Sequence, residues 1–131
     1  MNIAAVRIRS GHDMSRPQRN TLQLLRLLNT NSCVILPDTQ TNKGMLNKVK
    51  DYVTWGTIDD ETIEEIYKKR GEEYKGRKED CTEHNKKKYK KYFRLSPPKG
   101  GFERKGIKTP FTMGGALGNR KNITGLIKRM I

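Results

Sequence analysis

Few side chains in this 131-residue sequence have the types and spacing that metal chemistry requires. Cys81 and His84 form one local Cys-x-x-His pair. A zinc site needs three or four ligands at suitable spacing. His12 is distant in sequence, and Cys33 lies in the apolar run SCVIL, where a buried and chemically inert thiol is expected. We therefore predict no metal site and no cofactor.

The carboxylates do not suggest catalysis either. Turns, a helix surface and a helix start account for Asp38, Asp51, Asp59 and Asp60. No Ser/His/Asp or Cys/His arrangement can be argued from their spacing. We predict no catalytic residue and no small-molecule substrate, and a small enzyme is the weakest of the function hypotheses.

A glycine- and proline-rich stretch, RLSPPKGGFERKGIKTPFTMGGALGNR, spans residues 94–120. It lacks both the Gly-Lys-Ser/Thr ending of a nucleotide-binding loop and a G-x-G-x-x-G motif. A flexible linker is the alternative, but Phe102, Phe111 and Leu117 are apolar residues that a solvated linker does not usually retain. We interpret the stretch as an extended tether whose basic side chains face phosphates.

Net charge is the strongest functional signal. The chain carries a formal charge of +14, and residues 86–131 hold fourteen basic side chains against one acidic. Residues 59–85 are acidic instead, with ten acids and six bases. Such a basic block repels itself unless a polyanion neutralises it, and nucleic-acid backbones are the commonest polyanions. A membrane surface would favour a basic amphipathic helix or a lipid anchor, so we predict no membrane partner.

Apolar spacing predicts a β-α-β-α-β core. Strands are expected at 2–9, 33–36 and 53–58, and helices at 15–28 and 42–52. Alternation at the end of the first strand predicts a half-buried strand with Arg7 and Arg9 on its outer face. Ser15, followed by Pro17 and Gln18, has the pattern of a capped helix start, and Leu22, Leu24, Leu25, Leu27 and Leu28 form the expected apolar stripe.

The rest of the chain divides into two further segments, giving the organisation 1–58, 59–93 and 94–131. A helix is expected over 59–70, because acids begin it and bases end it. Residues 71–92 are almost wholly polar and are expected to be disordered in isolation, although the aromatic rings in HNKKKYKKYF are available for stacking or packing. A final helix over 119–130 has an apolar face that predicts docking on the core.

Neither cysteine suggests a disulfide framework, no segment reads as a secretory signal, and no apolar run approaches 18 residues. We therefore expect a reduced, cytoplasmic protein.

Several strings resemble the large-subunit ribosomal protein L thirty family, in its longer archaeal and eukaryotic branch. They are VRIRS, RPQRNTLQLLRL, CVILPDTQTNKGMLNKVKDYVTWGTID, RLSPPKGGFERKGIKTPF and GGALGNRKNITGLIKRM. They cover nearly the whole chain, and residues 71–92 look least like the family. The GMLNKVKDYV string and the terminal Gly-Gly-x-Leu-Gly block are specific in combination.

The resemblance implies an α+β fold with a three-stranded antiparallel sheet and two helices on one face, to which the chain adds a basic C-terminal extension ending in a docking helix. It implies a non-enzymatic role in stabilising the large ribosomal subunit, through ribosomal RNA near the 5S RNA and through neighbouring proteins. A regulatory RNA- or DNA-binding protein outside the ribosome is the alternative. From charge and family position, we predict RNA contacts for Arg7, Arg9, Arg16, Arg19, Lys43, Lys48, Arg94, Lys99, Arg104, Lys105, Lys108, Arg120 and Lys121.

Overall fold

A computed structural model describes residues 2–9, 15–27, 29–71, 81–84, 87–99, 110–115 and 117–131. The strands are β1 (Asn2–Arg7), β2 (Ser32–Pro37), β3 (Val53–Thr57), β4 (Cys81–His84), β5 (Lys87–Lys90), β6 (Tyr92–Arg94) and β7 (Gly118–Asn122). The helices are α1 (Arg16–Leu24), α2 (Gln40–Lys48), α3 (Asp60–Arg70) and α4 (Thr124–Met130), and a 3-10 turn covers Phe111–Met113.

The described strands form a five-stranded mixed sheet in the order β6-β2-β1-β3-β7 and a separate β4–β5 hairpin. Central β1 pairs antiparallel with both β2 and β3, β6 pairs antiparallel with β2, and β7 runs parallel to β3. The α+β class and the β-α-β-α-β order are confirmed. The expectation of a three-stranded sheet is wrong, since β6 and β7 extend the antiparallel centre on both sides.

Helices cover both faces of the sheet. One face packs Ala5 and Trp55 against residues of α1 and α2 such as Leu22 and Leu46. The opposite face packs Ala4 and Val6 against α3 and α4. The prediction of two helices on one face was therefore incomplete, because α3 and α4 cover the other face. The predicted alternation is confirmed at the end of β1, where Val6 and Ile8 are buried and the two arginines are partly exposed. The prediction of a half-buried strand is wrong for the rest of β1, because Ile3 to Val6 are all buried.

The start of α1 follows the sequence signal, whereas its apolar stripe does so only in part. The backbone N–H of Ser15 donates to Gln18 Oε1 at 3.3 Å, which closes the predicted helix start. Leu22, Leu25 and Leu27 are buried, but Leu24 is 72% exposed because it points away from the sheet. Leu28 lies outside the described residues.

The segment after Gly118 begins as a strand rather than a helix. Residues 118–122 form β7, and the helix α4 starts only at Thr124. Gly56 makes this pairing possible, since a Cβ at that position would lie 2.6 Å from the carbonyl oxygen of Arg120. After the strand, Ile123, Leu126, Ile127 and Met130 are buried on the α3 side of the sheet.

The lysine-rich segment contains regular structure in its described part, namely β4, β5 and the beginning of β6. Its aromatic rings pack against protein: the Tyr67 ring lies 5.2 Å from that of Tyr89 and 5.0 Å, edge to face, from that of Phe93. Residues 72–80 and 85–86 lie outside the described residues.

Candidate nucleic-acid interface

Arginines from two strands meet at the end of the sheet where β1 finishes. Ser32 of β2 pairs with Arg94 of β6, and the backbone N–H of Asn31 donates to the Arg7 carbonyl at 2.7 Å. Strands separated by one intervening strand are about 10 Å apart, so Arg7 and Arg94 lie within reach of one polyanion. We call Arg7, Arg9 and Arg94 the basic end of the sheet.

Arg7 is anchored as well as charged. Its Nη1 donates to the Leu27 carbonyl at 3.0 Å, and its Nε donates to the Arg9 carbonyl at 3.1 Å. Partial burial lowers the pKa of the Arg7 guanidinium by desolvation. These contacts fix the side chain between the end of α1 and the end of β1, so Arg7 presents a pre-oriented charge.

Arg9 lies beside Arg7, on an aromatic ring. Its guanidinium carbon is 5.4 Å from the centroid of the Tyr52 ring, and its Nη1 donates to the Asp51 carbonyl at 3.3 Å. Stacking of this kind restricts a flexible side chain. The sequence reasoning missed Tyr52 as a partner because it assigned the tyrosine to α2, whereas the helix ends at Lys48.

The helical layer adds exposed charge next to this end. Gln18 Nε2 donates to the Lys48 carbonyl at 3.4 Å, which places the first turn of α1 beside the last turn of α2. That turn of α2 leads to Tyr52, whose carbonyl accepts from Ile8 at the basic end. Exposed Arg16, Arg19 and Lys48 therefore lie on the helical side of the basic end.

A cleft separates α2 from the β3–β7 edge, and we call it the α2 cleft. Its volume is about 290 Å³. Lys43 and Asn47 line the α2 side, Asn119 and Lys121 line the β7 side, and the floor includes Trp55. Two predicted contact residues, Lys43 and Lys121, thus come together at a place distinct from the basic end. The sequence-based prediction of RNA contacts missed the asparagines because it considered only charged residues.

Arg120 is the exception among the predicted contacts. It is only 6% exposed, its Nε donates to Thr54 Oγ1 at 3.0 Å, and its guanidinium carbon lies 4.8 Å from the Phe111 ring centroid. Thr54 Oγ1 in turn donates to the Gly118 carbonyl at 3.0 Å. The side chain therefore joins β3 to β7 inside the protein instead of facing an external partner.

The remaining predicted contacts lie in the C-terminal extension. Lys99 is exposed, and its backbone N–H donates to the Arg129 carbonyl at 3.3 Å, so it lies near the end of α4. Arg104, Lys105 and Lys108 lie outside the described residues, as does Phe102. Of the two other apolar residues predicted to hold the stretch against protein, Leu117 is buried and Phe111 is 41% exposed.

Acidic side chains concentrate on the other side of the molecule. Asp60, Glu61, Glu64 and Glu65 are exposed on α3, which covers the face of the sheet opposite to α1 and α2. The first two turns of α3 are therefore acidic, whereas exposed bases at the end of α3 and on α4 lie on the same face of the sheet, namely Lys68, Lys69, Lys128 and Arg129. Among the described residues, no three His, Cys, Asp or Glu side chains are grouped as a metal ion would require. No described helix is long and apolar enough to cross a membrane.

Fold and surface together define a small, strongly basic α+β protein with the surface chemistry of a polyanion binder. Residues 3–53, from β1 to the start of β3, match the family model Ribosomal protein L30p/L7e. The chain is 42% identical to Large ribosomal subunit protein uL30 of Methanopyrus kandleri, over 88% of this chain and 95% of that protein. The proteins of the same name from Nanoarchaeum equitans and Methanococcus maripaludis are 38% and 37% identical, covering 98% and 100% of this chain and 97% and 100% of theirs. The chain belongs to the L30p/L7e ribosomal protein family.

The alignment with the Methanococcus maripaludis protein runs over 154 positions and includes all 131 residues of this chain. The relative therefore carries residues that this chain lacks.

Proposed function

We propose that this protein is a non-enzymatic structural constituent of the large ribosomal subunit, where it binds folded ribosomal RNA through its basic end and its basic, glycine-rich C-terminal stretch. Full-length similarity to archaeal proteins named as large-subunit components is the observation that carries this proposal. The charge of +14 and the clustered arginines supply the means of binding.

The anchored arginines and the acidic start of α3 orient the protein on the RNA. Arginine side chains form paired hydrogen bonds to phosphate oxygens, and Arg7 and Arg9 are already held in place by backbone carbonyls. The acids in the first two turns of α3 repel phosphates, so this part of the helix faces away from the RNA. The basic end and the α1–α2 layer are thus the proposed contact surface.

The family resemblance supports a location beside the 5S RNA and contacts with neighbouring large-subunit proteins. Exposed Met113 and partly exposed Phe111 offer apolar area suited to a protein neighbour. The cellular location follows from the assembly and is the cytoplasmic ribosome.

The first test is co-sedimentation. Tagged protein expressed in a related archaeon should remain with the large subunit through a moderate-salt wash. Consistent absence from the subunit fraction would refute the proposal. Specific binding to messenger RNA or DNA without sedimentation would instead support the regulatory alternative.

The second test locates the contact surface by salt dependence. Replacing exposed Arg16 and Lys48 by Ala should lower the slope of log affinity against log salt by about 1.4 to 1.8, if each side chain contacts one phosphate. The matched control is the double Ala variant of exposed Lys68 and Lys69 on α3, which removes the same charge and should leave the slope unchanged. Equal slopes for the two variants would show that RNA does not distinguish these faces.

A further inference from the structure

Gly44 occupies an unusual position in α2. It is the fifth of nine helical residues and is exposed, and the buried residue of the helix, Leu46, points to the opposite side. Glycine in the middle of a helix costs stability relative to alanine. A structural reason for such a glycine would be a neighbour that excludes a side chain.

The described fold supplies no such neighbour. A Cβ at Gly44 would meet nothing within 4 Å. At Gly56, by contrast, a Cβ would lie 2.6 Å from a backbone oxygen. Gly44 therefore leaves the exposed side of α2, which we call its crest, bare of any described residue, so another molecule can approach the helix backbone closely there.

The α2 cleft opens beside this crest. Asn47, one turn after Gly44, faces Asn119 across the cleft, and lysines 43 and 121 stand on the same two walls. Each amide carries both donors and an acceptor, as the hydrogen-bonding edge of a nucleobase does. Lys121 supplies positive charge for a phosphate, whereas the Lys43 ammonium is paired with the Asp38 carboxylate.

Asp38 favours a nucleobase over a bare phosphate as the ligand of the α2 cleft. Its Oδ1 lies 3.1 Å from Lys43 Nζ, and the carboxylate is part of the cleft lining. A carboxylate repels a phosphate but accepts hydrogen bonds from the exocyclic amino group of a base. The floor includes Trp55, which is only 5% exposed.

We propose that the α2 cleft is the binding subsite for one unpaired RNA nucleotide, whose base enters between Asn47 and Asn119 while its backbone passes over Gly44. Single-stranded bulges and loops, whose bases can be splayed out, are the usual targets of specific RNA recognition. The inference rests on the proposed RNA-binding function and names the class of ligand at one site within it.

The first experiment measures the affinity of the full chain for large-subunit ribosomal RNA stripped of protein. Gly44→Gln adds a bulky neutral side chain to the crest and should weaken binding about tenfold. The matched control is Gly125→Gln, since Gly125 is also an exposed helical glycine with nothing within 4 Å of its Cβ position, but lies in α4 on the opposite face. Circular dichroism and thermal melting of both free variants establish that each is folded.

The second experiment probes the RNA bases chemically. The wild-type protein should protect the base edge of one unpaired nucleotide, and Asn47→Ala or Asn119→Ala should restore its reactivity while weakening binding about 3- to 10-fold. Protection of sugar and phosphate without protection of any base would overturn the proposal. So would equal affinities of the Gly44 and Gly125 variants, although RNA binding by the wild type would then still support the proposed function. Failure of the wild type to bind would refute both.

Discussion

Arg120 tests whether burial or charge determines the role of a basic residue in this protein. Sequence reasoning predicted an RNA contact, whereas the structure places the side chain inside the β3–β7 junction with 6% exposure. Its Nε–H donates to Thr54 Oγ1, and the Thr54 hydroxyl in turn donates to the Gly118 carbonyl. Replacing Arg120 by Ala should therefore destabilise the free protein in the absence of RNA.

The magnitude follows from three lost interactions. Truncation removes two buried methylene groups, worth about 0.8 kcal/mol each, and a charge-assisted hydrogen bond worth about 1.5–3 kcal/mol. The cation–π contact with Phe111 contributes about 0.5–1 kcal/mol, since that ring is 41% exposed. Relief of the guanidinium's desolvation offsets part of the loss. The expected decrease in the free energy of unfolding is about 2–4 kcal/mol.

Urea unfolding of the isolated protein, followed by circular dichroism, is the assay. Lys121→Ala is the control, because Lys121 is the next residue of the same strand and is exposed. Lys121→Ala should leave the unfolding free energy within about 0.5 kcal/mol of wild type and should instead weaken RNA binding.

Arg120→Met refines the comparison, since Met retains most of the apolar stem and loses the hydrogen bond and the charge. It should cost about 1–3 kcal/mol. If Arg120→Ala left stability unchanged while reducing the salt dependence of RNA binding, Arg120 would be an RNA contact and the buried junction described above would be wrong.

Two other predictions concern the sheet. Gly56→Ala should destabilise the protein by about 1–3 kcal/mol in urea unfolding, because its Cβ would collide with a backbone oxygen of β7. Gly44→Ala, whose Cβ has open space, should instead stabilise the protein by about 0.5–1 kcal/mol. A change of the same sign in both variants would refute the close approach of β3 and β7 at Gly56. Burial raises the pKa of the Cys33 thiol to about 12, against an ordinary value of 9.0. The contribution of the protonated thiol to the free energy of unfolding should be complete below about pH 9 and should decline as pH rises toward 12. In a background that lacks the second cysteine, Cys33→Ala should abolish this decline. Identical dependence of stability on pH with and without Cys33 would contradict the prediction.

Sequence could predict those elements in which the apolar pattern and the capping residues agree. The start of α1 at Ser15 and the helix Asp60–Arg70 are examples, because local hydrogen bonding and end charges specify them. The strand β7 could not be recognised in this way. Its residues are polar throughout, and it is held by the close approach at Gly56 and by a buried arginine, both of which depend on tertiary contacts.

For a related reason, the sequence did not predict that helices cover both faces of the sheet. Ala4 and Ala5 are buried on opposite faces of β1, but alanine carries too weak an apolar signal to distinguish a strand covered on one face from one covered on both. For the candidate site, sequence supplied the charged residues but not their grouping. Strand register brings Arg7 and Arg94 to one end, and the β3–β7 pairing forms the cleft wall that carries Asn119.

The acids of α3 have a consequence for binding that net charge alone does not reveal. A uniformly basic protein would be attracted to RNA in many orientations, because attraction to phosphates is independent of sequence and largely independent of pose. Exposed carboxylates in the first two turns of α3 make the poses that bring this part of the helix to the RNA unfavourable, at little cost to the attraction of the other faces. On the proposed function, these acids would therefore favour the pose in which the basic end and the α2 cleft face the RNA.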